Sequence, residues 1–354
     1  ASSWAFADNC TNLPEAEQAA CFAPLYRQAI EQWPAPSIDA DVNWQEMAAL
    51  PARASSPPEN PFSEAKAELG QQLFFDPTLS RSGQIACASC HGPDLAFADG
   101  RRVSFGHDRQ AGKRNAPSLV MAGYTHKPFW DGRTGSLEEQ ALHPVEDPVE
   151  MAFTTEDMVK RLQQRDDYQA PFTAAFGSPE VTAERVAFAL ATYQRTLVSR
   201  TQNTPFEQFL RGRYQFLNDQ QVYGLHLFRT QARCMNCHFG PALTDDEFHN
   251  LGLTYYGRKF EDLGRYLVTG QAADVGKFRT PSLRLVMSTK PWMHNGLFVN
   301  MKGTLALYNR GMARPQPTAA QTDDPLFPHT SERLKVLNLS PYQLDALLAF
   351  LQTL

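Results

Sequence analysis

At 354 residues the chain is long enough for two domains of ordinary size, and its 42% hydrophobic and 20% charged content describes a globular protein rather than a disordered one. The net charge of −5 gives no reason to expect nucleic acid as a partner. No apolar run approaches the length of a membrane span.

Residues 1–60 read as an extension rather than a domain. They hold Cys10 and Cys21, the aromatics Trp4, Trp33 and Trp44, and prolines at 51, 57 and 58, with Pro61 just beyond. Such Pro and Ser density favours an irregular linker lying across a domain surface. Glu64 to Phe75 then predicts a short amphipathic helix, with Ala67, Leu69, Leu73 and Phe74 on its apolar side and Asp76-Pro77 ending it.

Directly after it comes Cys87-Ala88-Ser89-Cys90-His91. A C-x-x-C-H run is read as a c-type haem attachment site. Two thiols spaced by two residues match the two vinyl groups of one porphyrin, and the adjacent His lies below the iron. The competing reading is a zinc or redox Cys pair that happens to precede a His. From Ser104 to Arg133 the sequence is loop-like and carries His107, Asn115, His126 and Trp130; loops rich in potential ligands beside a haem are candidates for a distal pocket.

Glu180 to Arg200 is the clearest helix, with Val181, Val186, Leu190, Tyr193 and Leu197 at helical spacing. Pro205 to Arg213 reads as a hinge between halves, which places a boundary near Asn203. A helix from Asp219 to Phe228 leads into a second attachment run, Cys234-Met235-Asn236-Cys237-His238. Helix followed by C-x-x-C-H therefore occurs twice, an internal repeat. Two such runs in a chain of six Cys and nine His are far beyond chance, so two covalent haems are expected. A loop-rich region from Asp245 to Asn300 follows, and Pro341 to Leu354 closes the chain as a helix with Leu344, Leu347, Leu348 and Leu351 for packing. No alternating strand pattern is long enough to matter. The expected class is mainly α: two cytochrome c-like domains with one covalent haem each, residues 61–203 and 204–354, plus the extension 1–60.

Haem attachment of this type occurs outside the cytoplasm, so Ala1 reads as a mature start after a removed signal peptide, in the periplasm or at the cell surface. In that oxidising compartment Cys10 and Cys21, the pair left over from haem attachment, are expected to form a disulfide; two free thiols are the alternative.

Four further stretches narrow the chemistry. Arg114-Asn115-Ala116-Pro117-Ser118, Phe129-Trp130-Asp131-Gly132-Arg133, Leu137-Glu138-Glu139-Gln140-Ala141 and Pro291-Trp292-Met293-His294-Asn295-Gly296 resemble the bacterial dihaem cytochrome c peroxidase family, in the same order, from about Leu69 to Leu354. The resemblance is strongest to its MauG branch, whose members use peroxide to oxidise residues of another protein. It implies that His91 is the proximal ligand of the peroxidatic haem and His238 that of the second, electron-handling haem. It places the distal acid–base carboxylate on Glu138, which without the family reads as a solvated charge at a helix start capped by Ser136, with Glu139 at N3. The family's distal Gln falls on Pro128.

The sixth ligand of the second haem separates the branches, a Met in conventional peroxidases and a Tyr in the MauG branch. The resemblance places it on Tyr308, with Met301 or Met312 as alternatives. His107 points the other way. It lies sixteen residues after His91, where conventional members carry a loop His that closes the first haem until the second is reduced; the alternative is a solvated side chain. The resemblance also implies a calcium ion between the domains, held by Asn115 and by the carbonyls of Thr289 and Pro291. It makes Trp130 an aromatic relay between the irons, packing being the other reading. In MauG a Trp precedes the second attachment run, and Ala232 stands there in this chain. Trp4, Trp33 and Trp44 are the other candidates for a hopping or docking surface, although core packing is their default reading.

The implied function is a MauG-like oxidoreductase that uses hydrogen peroxide to form a high-valent dihaem state and oxidises Trp or Tyr of a partner protein. The alternatives are a cytochrome c peroxidase fed by a small cytochrome or copper protein, and a non-catalytic dihaem electron-transfer protein.

Overall fold

A computed structural model of the chain describes residues 9–354; Trp4 lies outside them. The helices that carry the fold are, in chain order, α1 (Glu15–Tyr26), α2 (Glu64–Phe75), α3 (Leu137–Glu146), α4 (Thr155–Gln163), α5 (Asp166–Phe176), α6 (Ala183–Thr196), α7 (Pro205–Leu210), α8 (Asp219–Arg229), α9 (Met301–Asn309) and α10 (Pro341–Leu351). Among the described residues the sheet is a two-residue antiparallel ladder, β1 (Phe248–His249) on β2 (Phe278–Arg279), with Phe248 opposite Arg279. The protein is mainly helical, as its periodicity predicts. Among the described residues no helix is long and apolar enough to cross a membrane.

Local chemistry sets most helix starts. Side chains of Ser63, Ser136, Thr154, Thr182, Thr204, Asn218 and Ser340 each accept from a backbone N–H in the first turn they precede. Asn218 with Gln221, and Ser340 with Gln343, complete reciprocal capping boxes. The segment read as a hinge is instead the helix α7. Thr204 caps it, Pro205 occupies a first-turn position that needs no N–H, and Phe206, Glu207 and Phe209 are fully buried. Its apolar spacing is too short to register as periodic, which is why Pro and Arg dominate the reading of that stretch.

The chain divides into two compact units. The first comprises residues 51–200 and 288–299; the second comprises the described residues before 51 with 201–287 and 300–354. Each unit contains the same helix crossing. In the first, α2 lies on α6 with Gly70 facing the carbonyl of Ala189, where a Cβ would come within 2.0 Å. In the second, α8 lies on α10 with Gly224 facing the carbonyl of Ala346, again at 2.0 Å. Four residues on, Phe74 packs on Tyr193 and Phe228 on Phe350, both pairs with ring centroids 5.3 Å apart. The glycines let two backbones touch and the aromatics fill the space beyond. Gly224→Ala is therefore expected to lower unfolding free energy by about 1–3 kcal/mol through overpacking against backbone that cannot yield, read as a fall in Tm.

In the second unit the segment before residue 51 packs through α1, whose Gln18, Ala19, Phe22, Ala23 and Tyr26 are buried, against α8. The Tyr223 hydroxyl donates to Gln18 at 2.5 Å, and Cys10 and Cys21 are joined by a disulfide.

Candidate functional site

Both Cys–Cys–His runs fold into the same tight turn. In the first unit Cys87–Ser89 forms a single 3-10 turn, with Cys90 N–H and His91 N–H both donating to the Cys87 carbonyl at 3.2 and 3.0 Å. The second unit repeats this in Cys234–Asn236, where Cys237 and His238 donate to the Cys234 carbonyl at 3.1 and 2.8 Å. The chain then doubles back through a left-handed residue, Phe97 (φ 56°) or Leu243 (φ 51°), and returns a carbonyl to the imidazole. Nδ1 of His91 lies 3.0 Å from the Phe97 oxygen, and Nδ1 of His238 lies 3.1 Å from that of Leu243.

That geometry decides what each turn can hold. Occupied at Nδ1, each imidazole keeps Nε2 for a metal, and the carbonyl fixes the ring's tautomer and tilt. Burial pushes both imidazoles below their ordinary pKa, partly offset by those carbonyls, so both are neutral and ligand-ready. None of the four thiols is in a disulfide, and burial raises Cys87, Cys234 and Cys237 to about 12. Two neutral thiols and one oriented imidazole within five residues fit a covalently attached haem. A zinc site needs a fourth ligand of its own. Among the described residues the group of metal-binding atoms that converges is Cys237, Asp245 and His249, with His249 Nε2 2.7 Å from Asp245, and Cys237 belongs to the turn itself.

In the second unit Tyr308 sits in the last turn of α9, whose end is held by Asn309: its amide donates to the Leu339 carbonyl at 3.0 Å and its oxygen accepts from Leu339 N–H at 2.8 Å. Burial pushes the Tyr308 phenol well above its ordinary pKa, and the neighbouring Cys237 and Cys234 add to the shift. The half-buried phenol thus lies beside both thiols of the second turn. Met301 and Met312 are buried, as is Ala232. The segment before residue 51 braces this turn. Asn236 accepts from Asp39 N–H at 2.8 Å and donates to the Ser37 carbonyl at 3.1 Å, while Arg233 clasps Asp39 at 2.7 and 2.6 Å.

In the first unit Glu138 is buried, while its neighbour Glu139 takes the capping role, accepting from Gly135 N–H at 2.8 Å. Adjacent on one helix turn, Glu138 faces the interior and Glu139 is exposed. Glu138 forms a bidentate pair with Arg195 at 2.6 and 3.0 Å and accepts from Asn60 at 2.8 Å. The Asn60 oxygen in turn accepts from Lys66 at 2.9 Å. Burial pushes the Glu138 carboxyl up, but the hydrogen bonds from Arg195 and Asn60 outweigh it and hold the group below its ordinary value. Arg195, Asn60 and Lys66 are absent from the sequence reading. The available signal was an Arg in the buried stretch Ala189 to Arg195 of α6, where a lone cation requires a partner.

The remaining first-unit residues are placed as follows. Asn115 donates its amide N–H to the Arg101 carbonyl at 2.8 Å, and its backbone N–H donates to the His294 carbonyl at 2.7 Å. That bond ties the Arg114–Ser118 and Pro291–Gly296 stretches together, in the unit that also holds Thr289 and Pro291. Gly296 (φ 60°) permits the approach, since a Cβ there would meet the Arg102 carbonyl at 2.2 Å. Trp130 is buried, donates Nε1–H to the Asn115 carbonyl at 2.8 Å, and meets the His294 ring edge-on at 6.4 Å. Pro128 is buried and His126 exposed. The His107 N–H donates to the carbonyls of Val149 and Glu150, docking its loop; Nε2 lies 3.5 Å from Asp108, and Nδ1 is buried without a hydrogen-bond partner.

Comparison with known proteins agrees with this geometry. Residues 64–215 match the family described as di-haem cytochrome c peroxidase. The chain is 35% identical to the methylamine utilization protein MauG of Methylorubrum extorquens, over 90% of this chain and 88% of that protein. It is 34% identical to the cytochrome-c peroxidase IdrP1 of a Pseudomonas species, over 84% and 83% of the two chains. Among solved structures, a MauG-like protein associated with microbial copper homeostasis superposes with a TM-score of 0.76 at 31% identity, covering 88% of this chain and 95% of that one.

Proposed function

The chain belongs to the di-haem cytochrome c peroxidase family, which implies two covalently bound haems, and within it we propose a MauG-like, peroxide-dependent oxidoreductase that oxidises Trp or Tyr side chains of a partner protein. The observation that carries the reading is Tyr308, in the last turn of α9, lying beside Cys234 and Cys237. The haems supply iron that reacts with hydrogen peroxide and stores its oxidising equivalents. This chain's residues do the rest.

Cys87, Cys90 and His91 would hold the first haem, and Cys234, Cys237 and His238 the second. Tyr308 would offer its oxygen to the iron of the second. A phenol whose pKa is raised by burial would lose its proton only when a strong Lewis acid binds its oxygen, and as phenolate it would favour oxidised over reduced iron. A thioether there would do the opposite. Glu138, held as a carboxylate by Arg195 and Asn60, accepts a proton from one peroxide oxygen and returns it to the other, the transfer that O–O cleavage requires. Pro128 presents an apolar wall where the family places an amide. Trp130 would serve as the aromatic relay. Asn115, Thr289 and Pro291 provide the oxygen-only donors that suit Ca²⁺. The Cys10–Cys21 disulfide supports export to an oxidising compartment.

One observation favours the second reading, a cytochrome c peroxidase drawing electrons from a small cytochrome or copper protein. The Nδ1 of His107 is buried without a hydrogen-bond partner, as a side chain poised to ligate would be. Optical and EPR spectra of the oxidised holoprotein before and after one equivalent of peroxide, with Tyr308→Phe alongside, decide between them. A high-spin haem with a His–Tyr low-spin haem, and a long-lived peroxide-induced spectrum that Tyr308→Phe loses, is the expected result. Two low-spin haems that respond only after one-electron reduction would instead make His107 the gate of a conventional peroxidase.

A further inference from the structure

The second unit buries a tyrosine–histidine pair that neither the proposed reaction nor the haem turns use. Tyr26, the last residue of α1, is fully buried, and its hydroxyl lies 3.0 Å from Nδ1 of His226 on α8. Phe22 stacks flat on the His226 ring, centroids 3.8 Å apart, and fixes its plane. On its other side Tyr26 meets the Trp33 ring at 5.2 Å. The Arg229 guanidinium lies 5.9 Å from the Tyr26 ring and 5.2 Å from that of Trp33. Arg229 also touches the second haem turn directly, its Nη1 donating to the Met235 sulfur at 3.6 Å, and Met235 lies between the two haem-attaching cysteines. Aromatic, cation and thioether thus form one continuous contact from residues 26 and 33 to the turn at 234–238.

We propose that Tyr26 is a redox relay of the second haem, losing its electron toward that haem while its proton moves to Nδ1 of His226. This rests on the peroxide-dependent reading above, which supplies the oxidant. The step balances: one electron leaves Tyr26 for the peroxide-oxidised haem pair, the Oη–H bond breaks, an Nδ1–H bond forms, and a neutral tyrosyl radical faces an imidazolium. An external reductant, such as a partner side chain, returns the electron through Trp33, and the proton moves back to Oη.

Three features suit the pair to this role. A buried phenol oxidised without an acceptor would strand its positive charge in a medium that solvates it poorly, and a fixed acceptor removes that cost. His226 is available as that acceptor, because burial and the Arg229 charge push it down to about 3 and keep it unprotonated. Glu46, paired with both Arg229 nitrogens, offsets the cation that would otherwise oppose oxidation of its neighbours. Trp33, 8% exposed, is the link nearest solvent. The path would serve where Ala232 removes the aromatic that MauG has before its second attachment run.

The test is freeze-quench EPR of the holoprotein after one equivalent of peroxide, in wild type, Tyr26→Phe and Trp33→Phe. Tyr26→Phe keeps the ring and removes only the hydroxyl, and near-UV circular dichroism checks its packing. The expected result is a tyrosyl signal that narrows with ring-deuterated tyrosine and is lost in Tyr26→Phe, while the haem spectrum still responds to peroxide. A responding haem with no tyrosyl signal, or with one that survives in Tyr26→Phe, overturns the relay and leaves the proposed function standing. A haem that ignores peroxide overturns the proposed function instead. Photogenerated ruthenium(III) tris-bipyridine then supplies the oxidising equivalent, and absence of the Tyr26-dependent signal under it overturns the relay as well.

Discussion

Glu138→Gln is expected to slow the reaction of peroxide with the oxidised holoprotein by about 10²–10⁴-fold, the usual contribution of a positioned acid–base group. An amide is nearly isosteric with the carboxylate and still accepts from Arg195 and Asn60, but it cannot take up a proton at Oε. Stopped-flow measurement of the haem spectral change gives the rate on folded protein, so any loss of stability from the weakened Arg195 pair does not distort it. The pH profile carries a second signature. Burial raises the carboxyl and the Arg195 and Asn60 hydrogen bonds lower it further, so the base form persists below the ordinary value of 4.5. The rate should hold steady as pH falls through that value and drop only at more acid pH. Stability follows the same sign: the contribution of Glu138 is complete above the unfolded-state pKa and is lost as pH falls through the depressed folded one. A wild-type rate in Glu138→Gln would remove Glu138 from the chemistry.

Arg284→Met is expected to destabilise the protein by about 3 kcal/mol, at the lower end of what breaking a buried ion pair costs. The Arg284 and Glu207 side chains are both 0% exposed and meet at 3.0 Å. Arg284 also donates to the Pro241 carbonyl at 3.0 and 2.8 Å, just beyond His238, and to the Ala48 carbonyl at 3.0 Å. Glu207 accepts from Leu50 N–H at 2.9 Å and from Arg211 at 2.8 Å, so part of its charge stays compensated, which places the expectation at the lower end. Denaturant unfolding measures the loss, and limited proteolysis should open the chain near residues 48–50 first. The double variant Arg284→Met, Glu207→Leu should recover much of the stability, because removing both charges leaves none stranded. If the single variant unfolds at the wild-type midpoint, the buried pair is not what holds this segment down.

Features that act over a few residues were legible in the sequence. The Cys–Cys–His turns are set by covalent spacing, and the structure closes both with hydrogen bonds inside the motif or within six residues of it. Helices α2, α6, α8 and α10 follow from apolar spacing and Ser, Thr or Asn caps, within a few residues of the expected bounds. Gly70 and Gly224 each precede a Phe by four residues, a repeat whose meaning only the helix crossings disclose. Of α3 only the start at Ser136 was legible, and α5 was hidden; Pro144 and Pro171 lie within them, residues that argue against a helix unless packing compensates for the missing hydrogen bond.

What only tertiary structure decided are the partners of buried charges and hydroxyls. Glu138 finds Arg195 57 positions away, and Tyr26 finds His226 200 positions away. No local rule selects those pairs, because each group is bound by whichever partner the packed helices bring within hydrogen-bond reach. Burial then makes the pairing obligatory, since an isolated charge or hydroxyl inside the protein costs more than the contact returns. The sequence by itself determined the two Cys–Cys–His motifs and the family resemblance that implies two haems. The fold decided which groups hold Glu138 ionised and which histidine lies beside Tyr26.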